Sequence, residues 1–315
     1  MFNRIAKSIA SSFVIFALAA TALVAGAAPA HAVSNANLFW VGFDSAWSEQ
    51  IYSGSTATTP ITPVKLTGGN PISDVPNRGL ASDGTYLYFG DATTSKLVRT
   101  NLDGSNRVIV AALSGAVQGI AVSGGYVYWT QWNDGAFGIA ANAVGGTPTQ
   151  VLSGSMGGRP ASGYAGIAIS GNDIFFPVYD GSASPYTAGV GLYHGTVSGL
   201  SIGSLTKNAD YTGLATANPG YGIAVDSTDI YLSSYTSGRR GIIKTSLANW
   251  STALSTWTYY STSAVTNYPG GLAVLGTDLF MTDGQNGKLH SMTTSGAGLT
   301  TIFNNGLNNT GFQIV

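Results

Sequence analysis

A thirteen-residue phrase recurs along the chain and restricts its fold more than any other feature. It reads GLASDGTYLYFGD from Gly79, GIAVSGGYVYWTQ from Gly119 and GIAISGNDIFFPV from Gly166. It returns as GIAVDSTDIYLSS from Gly222 and GLAVLGTDLFMTD from Gly271, and a short form, GFQIV, stands at Gly311. Successive glycines lie 40, 47, 56, 49 and 40 residues apart. A period of that size marks a repeat architecture, in which each unit buries its apolar surface only against its neighbours.

Each copy carries the same order of elements. A short apolar strand (Ile120-Ala121-Val122) is followed by a glycine-bearing turn and an aromatic-rich strand (Tyr126-Val127-Tyr128-Trp129). A polar loop, a third strand (Lys96-Leu97-Val98-Arg99 in the first copy) and a fourth apolar run (Arg107-Val108-Ile109-Val110) complete the unit. Short strands divided by glycine turns indicate all-β structure. Four antiparallel strands in a unit of this length make a propeller blade. Asn37-Leu38-Phe39-Trp40-Val41 matches a second strand, yet no first strand precedes it. The expected solution is a six-bladed β-propeller whose last segment, residues 311–315, supplies the missing strand and closes the ring. The expected blades are residues 36–78 plus 311–315, 79–118, 119–165, 166–221, 222–270 and 271–310. Closure would pair the two ends by backbone hydrogen bonds and remove an open edge, which is otherwise a site for unwanted pairing.

Residues 1–32 stand apart. Arg4 and Lys7 precede an uncharged apolar run, Phe13 to Ala27, and Ala30-His31-Ala32 is a small-x-small site. This is the pattern of a cleaved secretory signal, and the apolar run is short for a membrane span. Residues 33–315 are therefore expected as one secreted domain, extracellular or periplasmic, with no membrane span. Without Arg4 and Lys7 the chain has 11 basic and 14 acidic residues, so it offers no basic surface to nucleic acid. Only 9% of residues are charged, well under the roughly 25% of ordinary soluble domains, which again points away from surface helices. The chain has no cysteine, which excludes thiol catalysis and thiolate metal sites.

The phrases YWTQ (128–131), YFGD (88–91) and FMTD (280–283), with LVRTNLDGSN (97–106), resemble the six-bladed propeller superfamily. That group includes NHL repeats, the YWTD repeats of lipoprotein receptors, gluconolactonases and virginiamycin B lyase. The resemblance implies a ligand face around the central channel, formed by loops entering each first strand and loops between second and third strands. Carried onto this chain, those loops supply Arg78, Gln118, Trp132, Arg159, Tyr164, Tyr179, Asn218, Tyr221, Tyr235, Asn267 and Tyr268 as candidate ligand contacts. Aromatic rings with amide neighbours suit sugars and other neutral polar ligands, since rings cover C–H faces and amides pair hydroxyls. The same residue types also build turns.

Asp44, Asp91, Asp134, Asp180 and Asp283 fall in the corresponding loop of five copies. Oxygen ligands around a channel mouth could hold Ca²⁺ or another divalent ion, although repetition of the blade alone explains the spacing. No cofactor is otherwise expected. The catalytic relatives that the resemblance brings in use a glutamate or a histidine with a metal. Glu49 is the single glutamate and reads as a loop residue, while His194 and His290 read as third-strand residues inside a blade. The sequence thus leans away from catalysis. It favours a recognition module for an extracellular glycan, peptide, protein or envelope polymer. A metal-dependent lyase or lactonase is the alternative, and a scaffold of a surface assembly is a further one.

Overall fold

Aromatic and β-branched residues suit a pleated surface that is covered on both sides, and the second strand of each repeat is covered on both. In Tyr86–Asp91, Leu87 and Phe89 pack to one side with Leu80 and Val98, while Tyr88 packs to the other with Leu97 and Trp129. Burial on both faces is why these strands read as continuous apolar runs instead of alternating ones. Leu87 and Tyr88 are wholly buried, and a side chain such as Leu87 contributes about 1.5–3 kcal/mol on leaving water.

The computed structural model describes residues 36–43, 49–66, 79–91, 94–113, 117–131, 137–141, 149–152, 155–156, 159–160, 166–178, 191–203, 205–207, 219–236, 239–266, 268–283, 286–304 and 310–315. The segment read as a secretory signal, residues 1–32, lies outside them.

The strands pair antiparallel into successive sheets. In chain order, the first sheet holds Asn37–Phe43, Glu49–Ser55 and Val64–Lys65, with Thr310–Ile314 added on its inner side. The second holds Leu80–Ser82, Tyr86–Asp91, Lys96–Asn101 and Val108–Ala112. The third holds Val117–Ser123, Tyr126–Gln131, Phe137–Ala141 and Thr149–Leu152. The fourth holds Ala168–Ser170, Asp173–Val178 and Gly191–Ser198, with Ser201–Ile202 and Thr206–Lys207 both on the last. The fifth holds Pro219–Val225, Asp229–Thr236, Arg239–Ser246 and Thr258–Ser261. The sixth holds Pro269–Leu275, Asp278–Asp283, Lys288–Thr293 and Thr300–Asn304. A two-residue hairpin, Ser155–Met156 with Arg159–Pro160, stands outside this set.

Neighbouring sheets share separate apolar cores. Tyr128 and Phe176 lie between the third and fourth, Phe175 and Leu232 between the fourth and fifth, and Tyr231 and Met281 between the fifth and sixth. Phe280 and Leu289 of the sixth sheet pack against Trp40 and Ile314 of the first. The inner strand of the first sheet is held by Trp40 opposite Ile314, and by paired backbone bonds between Phe39 and Val315 at 2.8 and 2.9 Å.

The register differs from the sequence reading at this strand. Trp40 occupies the place of Phe89, whose partner is Leu80, so Ile314 matches Leu80 and Gln313, not Gly311, stands at the repeat-glycine position. A register shift between Trp40 and Gly42 carries the pairing on to Thr310. Glu49, read as a loop residue, begins a strand.

The repeat glycines are required by close approach. A Cβ on Gly79 would lie 2.5 Å from Val117 Cγ1, and one on Gly222 would lie 2.2 Å from the Gly270 carbonyl oxygen. Adjacent inner strands pass too near one another there for any side chain.

Candidate functional site

Because the strands run antiparallel, first strands begin and second strands end on one side, the entry side. First and second strands are joined by tight turns on the other, the turn side. On the entry side the inner strands are bulged. In the third sheet Val117 pairs with Gln131 but Gly119 with Thr130, which leaves Gln118 as the extra residue. Comparable shifts lie between Pro219 and Ile223 and between Pro269 and Leu272. Bulges often occur beside functional sites because they re-aim side chains.

A hydroxyl from the second strand stabilises each of these bulges. The Gly119 N–H donates to Thr130 Oγ1 at 3.0 Å, Gly222 N–H to Ser233 Oγ at 2.9 Å, and Gly271 N–H to Thr282 Oγ1 at 2.9 Å. These three hydroxyl residues are the third letters of YWT, YLS and FMT. The signal was visible, but only the fold shows that it satisfies a glycine N–H. The second and fourth sheets place Gly90 and Pro177 there instead.

The candidate ligand residues divide into several groups. Gln118 is 5% exposed, and its Oε1 accepts no hydrogen bond from the described residues. It was expected in a loop but lies within Val117–Ser123, because the bulge lets the strand run past the glycine. Tyr221 likewise lies inside Pro219–Val225, Tyr235 inside Asp229–Thr236 opposite Arg240, and Arg159 in the short hairpin. Tyr268 is half-buried; its N–H donates to Thr266 Oγ1 at 2.9 Å, and the Arg240 guanidinium lies 5.3 Å from its ring centroid. Arg78, Trp132, Tyr164, Tyr179, Asn218 and Asn267 lie outside the described residues.

Arg239 and Arg240, at the entry end of the fifth sheet, have structural partners. Arg239 donates to the carbonyls of Ser255 at 3.2 Å and Trp257 at 3.0 Å, which fixes the turn Leu254–Thr256. The Tyr259 hydroxyl donates to the Arg240 carbonyl at 2.8 Å. A charged stack of Arg240 on Tyr268 therefore links the fifth and sixth sheets on the entry side, and such a contact is worth about 0.5–1 kcal/mol where exposed.

Two of the five candidate carboxylates lie among the described residues. Asp91 and Asp283 each end a second strand, two residues beyond the partner of the aliphatic residue that follows the glycine. In the third and fifth sheets the same register holds Gln131 and Ser234. Asp44, Asp134 and Asp180 lie outside the described residues. Asp91 accepts from the Arg107 guanidinium and from the Thr94 N–H. Asp283 is fully buried, accepts from Asn286 Nδ2 at 2.8 Å, and lies 3.7 Å from His290 Nε2. His290 is also fully buried, with Nδ1 3.0 Å from Thr301 Oγ1 and no hydrogen-bond partner at Nε2 among the described residues. His194 pairs with Asp173 at 2.7 Å and lies against Phe175 and Trp250. Among the described residues no three His, Asp or Glu side chains converge to hold a metal ion.

Along the middle of the molecule runs a narrow space. A cavity of about 50 Å³ is lined by Leu80, Ile120, Ile167, Ile223, Leu272 and Ile314, together with Gly166, Gly222, Gly271 and Val315. It sits at the level of the repeat glycines. Toward the turn side the space widens to about 380 Å³.

No protein-family model matches the chain. Among solved structures, a chain from the crystal structure of a nidogen/laminin complex is similar, with a TM-score of 0.64 and 14% identity. The alignment covers 88% of this chain and 97% of that one. The fold is a β-propeller. At such low identity the likeness carries the fold alone, and 511 chains of solved structures match it. A fold so widely shared does not specify a function. No helix among the described residues is long and apolar enough to cross a membrane.

Proposed function

We propose that this propeller is an exported recognition module that binds an extracellular ligand on its entry side, around the central channel. The observation that carries the reading is Gln118: a buried amide whose carbonyl oxygen has no donor among the described residues, placed by a bulge on that side. A buried polar group left unpaired costs about 1–3 kcal/mol, and a hydroxyl or N–H donor from a ligand would remove that cost. The half-buried Tyr268 ring on the same side adds a surface for a sugar C–H face or a peptide side chain. The ligand class is a glycan, a peptide or protein, or an envelope polymer. The similar chain comes from a complex of two proteins, which supports the protein alternative.

The reading includes a closed six-bladed ring. Its support is the strand Thr310–Ile314 beside Asn37–Phe43 and the packing of the sixth sheet on the first. It also includes export, supported by the basic, apolar and Ala30-His31-Ala32 pattern of residues 1–32.

The test is a binding screen of the mature protein against glycan, peptide and cell-envelope polymer arrays, repeated with Gln118→Leu and Tyr268→Ala. The expected result is a saturable ligand whose affinity falls at least tenfold in both variants while their melting temperatures stay near wild type. A ligand indifferent to both substitutions, or none in any array, would reject the entry-side assignment.

A further inference from the structure

The two ends of the central space differ in chemistry. At the turn side, the walls come from the residues two and three places after each repeat glycine. In order around the space these include Ser82, Val122, Ile169, Val225 and Val274, each preceded by an alanine. Among the described residues no ionisable side chain lines the space. Its one hydroxyl side chain is already committed, because Ser82 Oγ donates to the Tyr86 carbonyl and accepts from the Gly84 N–H, both at 3.1 Å.

Two carboxylates near the rim are hydrogen-bonded within their own turns. Asp83 and Asp226 lie in the turns, and their Oδ2 atoms accept from the hydroxyls of Tyr88 at 2.8 Å and Tyr231 at 2.9 Å. Their Oδ1 atoms accept from backbone N–H groups of the same turns. Both carboxylates are thus turned toward their own hairpins. Gly84, at positive φ, also lines the space, and a Cβ there would meet nothing within 4 Å among the described residues.

We infer that this widened end is a second binding site, separate from the entry side, for the aliphatic part of an uncharged small molecule. This space is about 380 Å³, opens to solvent and has aliphatic side chains on its walls. Transfer of alkyl groups from water is favourable and needs no directional partner. A charged or strongly polar group would find no uncommitted side-chain partner in these walls. Six inner strands fix the lining, so the site is preformed, as small-molecule sites usually are.

The test uses 1-decanol as the probe, titrated into the mature protein labelled at Ile and Val methyl groups. Saturable one-to-one binding is expected, with shifts at Val122, Ile169, Val225 and Val274 and none at the outward-facing Val64. Val225→Phe fills the space and should weaken binding at least tenfold, whereas Val225→Ala should bind as well as wild type. Thermal unfolding checks that each variant folds; if Val225→Phe does not, Val274→Phe on the neighbouring strand replaces it. Absence of saturable binding, shifts confined to other methyls, or unchanged affinity in a folded Phe variant would each overturn the inference. None of these readouts depends on an entry-side ligand, so the two proposals fail independently.

Discussion

Gly222→Ala tests the account of why the repeat begins with glycine. Gly222 carries no left-handed torsion, so space and not backbone conformation is the issue. An added Cβ would lie 2.2 Å from the Gly270 carbonyl oxygen, 2.9 Å from the Leu272 nitrogen and 2.9 Å from Leu272 Cγ. Even weak C–H···O contacts keep carbon and oxygen about 3.3–3.6 Å apart. The inner strands of the fifth and sixth sheets must therefore separate by roughly 1 Å, since two of the three obstacles are backbone atoms with no rotamer to adopt. Overpacking costs about 1–3 kcal/mol, and a clash against backbone belongs at the upper end. Reduced freedom of the unfolded chain returns only about 0.4–1 kcal/mol. At about 2–4 °C per kcal/mol for a large domain, a net loss near 2–2.6 kcal/mol lowers the melting temperature by about 4–10 °C. The assay is thermal unfolding followed by circular dichroism. Gly124→Ala is the control, because its Cβ would meet nothing within 4 Å and only its φ of 57° is strained. That strain costs about 1–2 kcal/mol. A Gly222→Ala protein that melts within a degree of wild type, or above the Gly124→Ala protein, would refute the close-approach argument.

Three further outcomes follow from the same structure. Thr282→Val removes the acceptor of the buried Gly271 N–H without changing side-chain shape. It should cost about 1–3 kcal/mol by urea unfolding, while Thr282→Ser should cost less than half as much. Asp226 provides a pH test. Burial pushes its carboxyl upward, but bonds from the Thr228 and Asp229 N–H groups and the hydroxyls of Tyr231 and Thr228 outweigh this and hold it below its ordinary value. A depressed folded value means the contribution is complete above about pH 4 and fades as pH falls through the folded value. Asp226→Asn should therefore flatten the acid limb of stability against pH; an unchanged limb would count against these bonds. Removing residues 311–315 takes away buried Ile314 and the backbone bonds of Val315 to Phe39. Ile314 alone is worth about 2 kcal/mol, so a melting temperature close to that of the full chain would argue against the inner-strand pairing.

What the sequence determined by itself is the repeating unit and its strands. Periodic glycines, aliphatic pairs and aromatic runs are local signals, and each marks an element whose two faces are covered. The segment around Trp40 could be recognised as a second strand lacking its partner for the same reason. Register, by contrast, is set by bulges and by contacts between distant residues. One extra residue at Gln118 turns a loop position into a strand position and buries an amide. The shift near Gly42 gives Gln313 the place that Gly311 seemed to hold. Of the five aspartates that looked equivalent by spacing, only Asp91 and Asp283 lie among the described residues, and the third sheet has Gln131 at their register position. The hydroxyl bonds to the repeat glycines, the Arg240–Tyr268 stack and the aliphatic mouth on the turn side each join residues from different strands or sheets. Only the tertiary structure decides these, because a sequence pattern records the period along the chain and not the offset at which neighbouring strands meet.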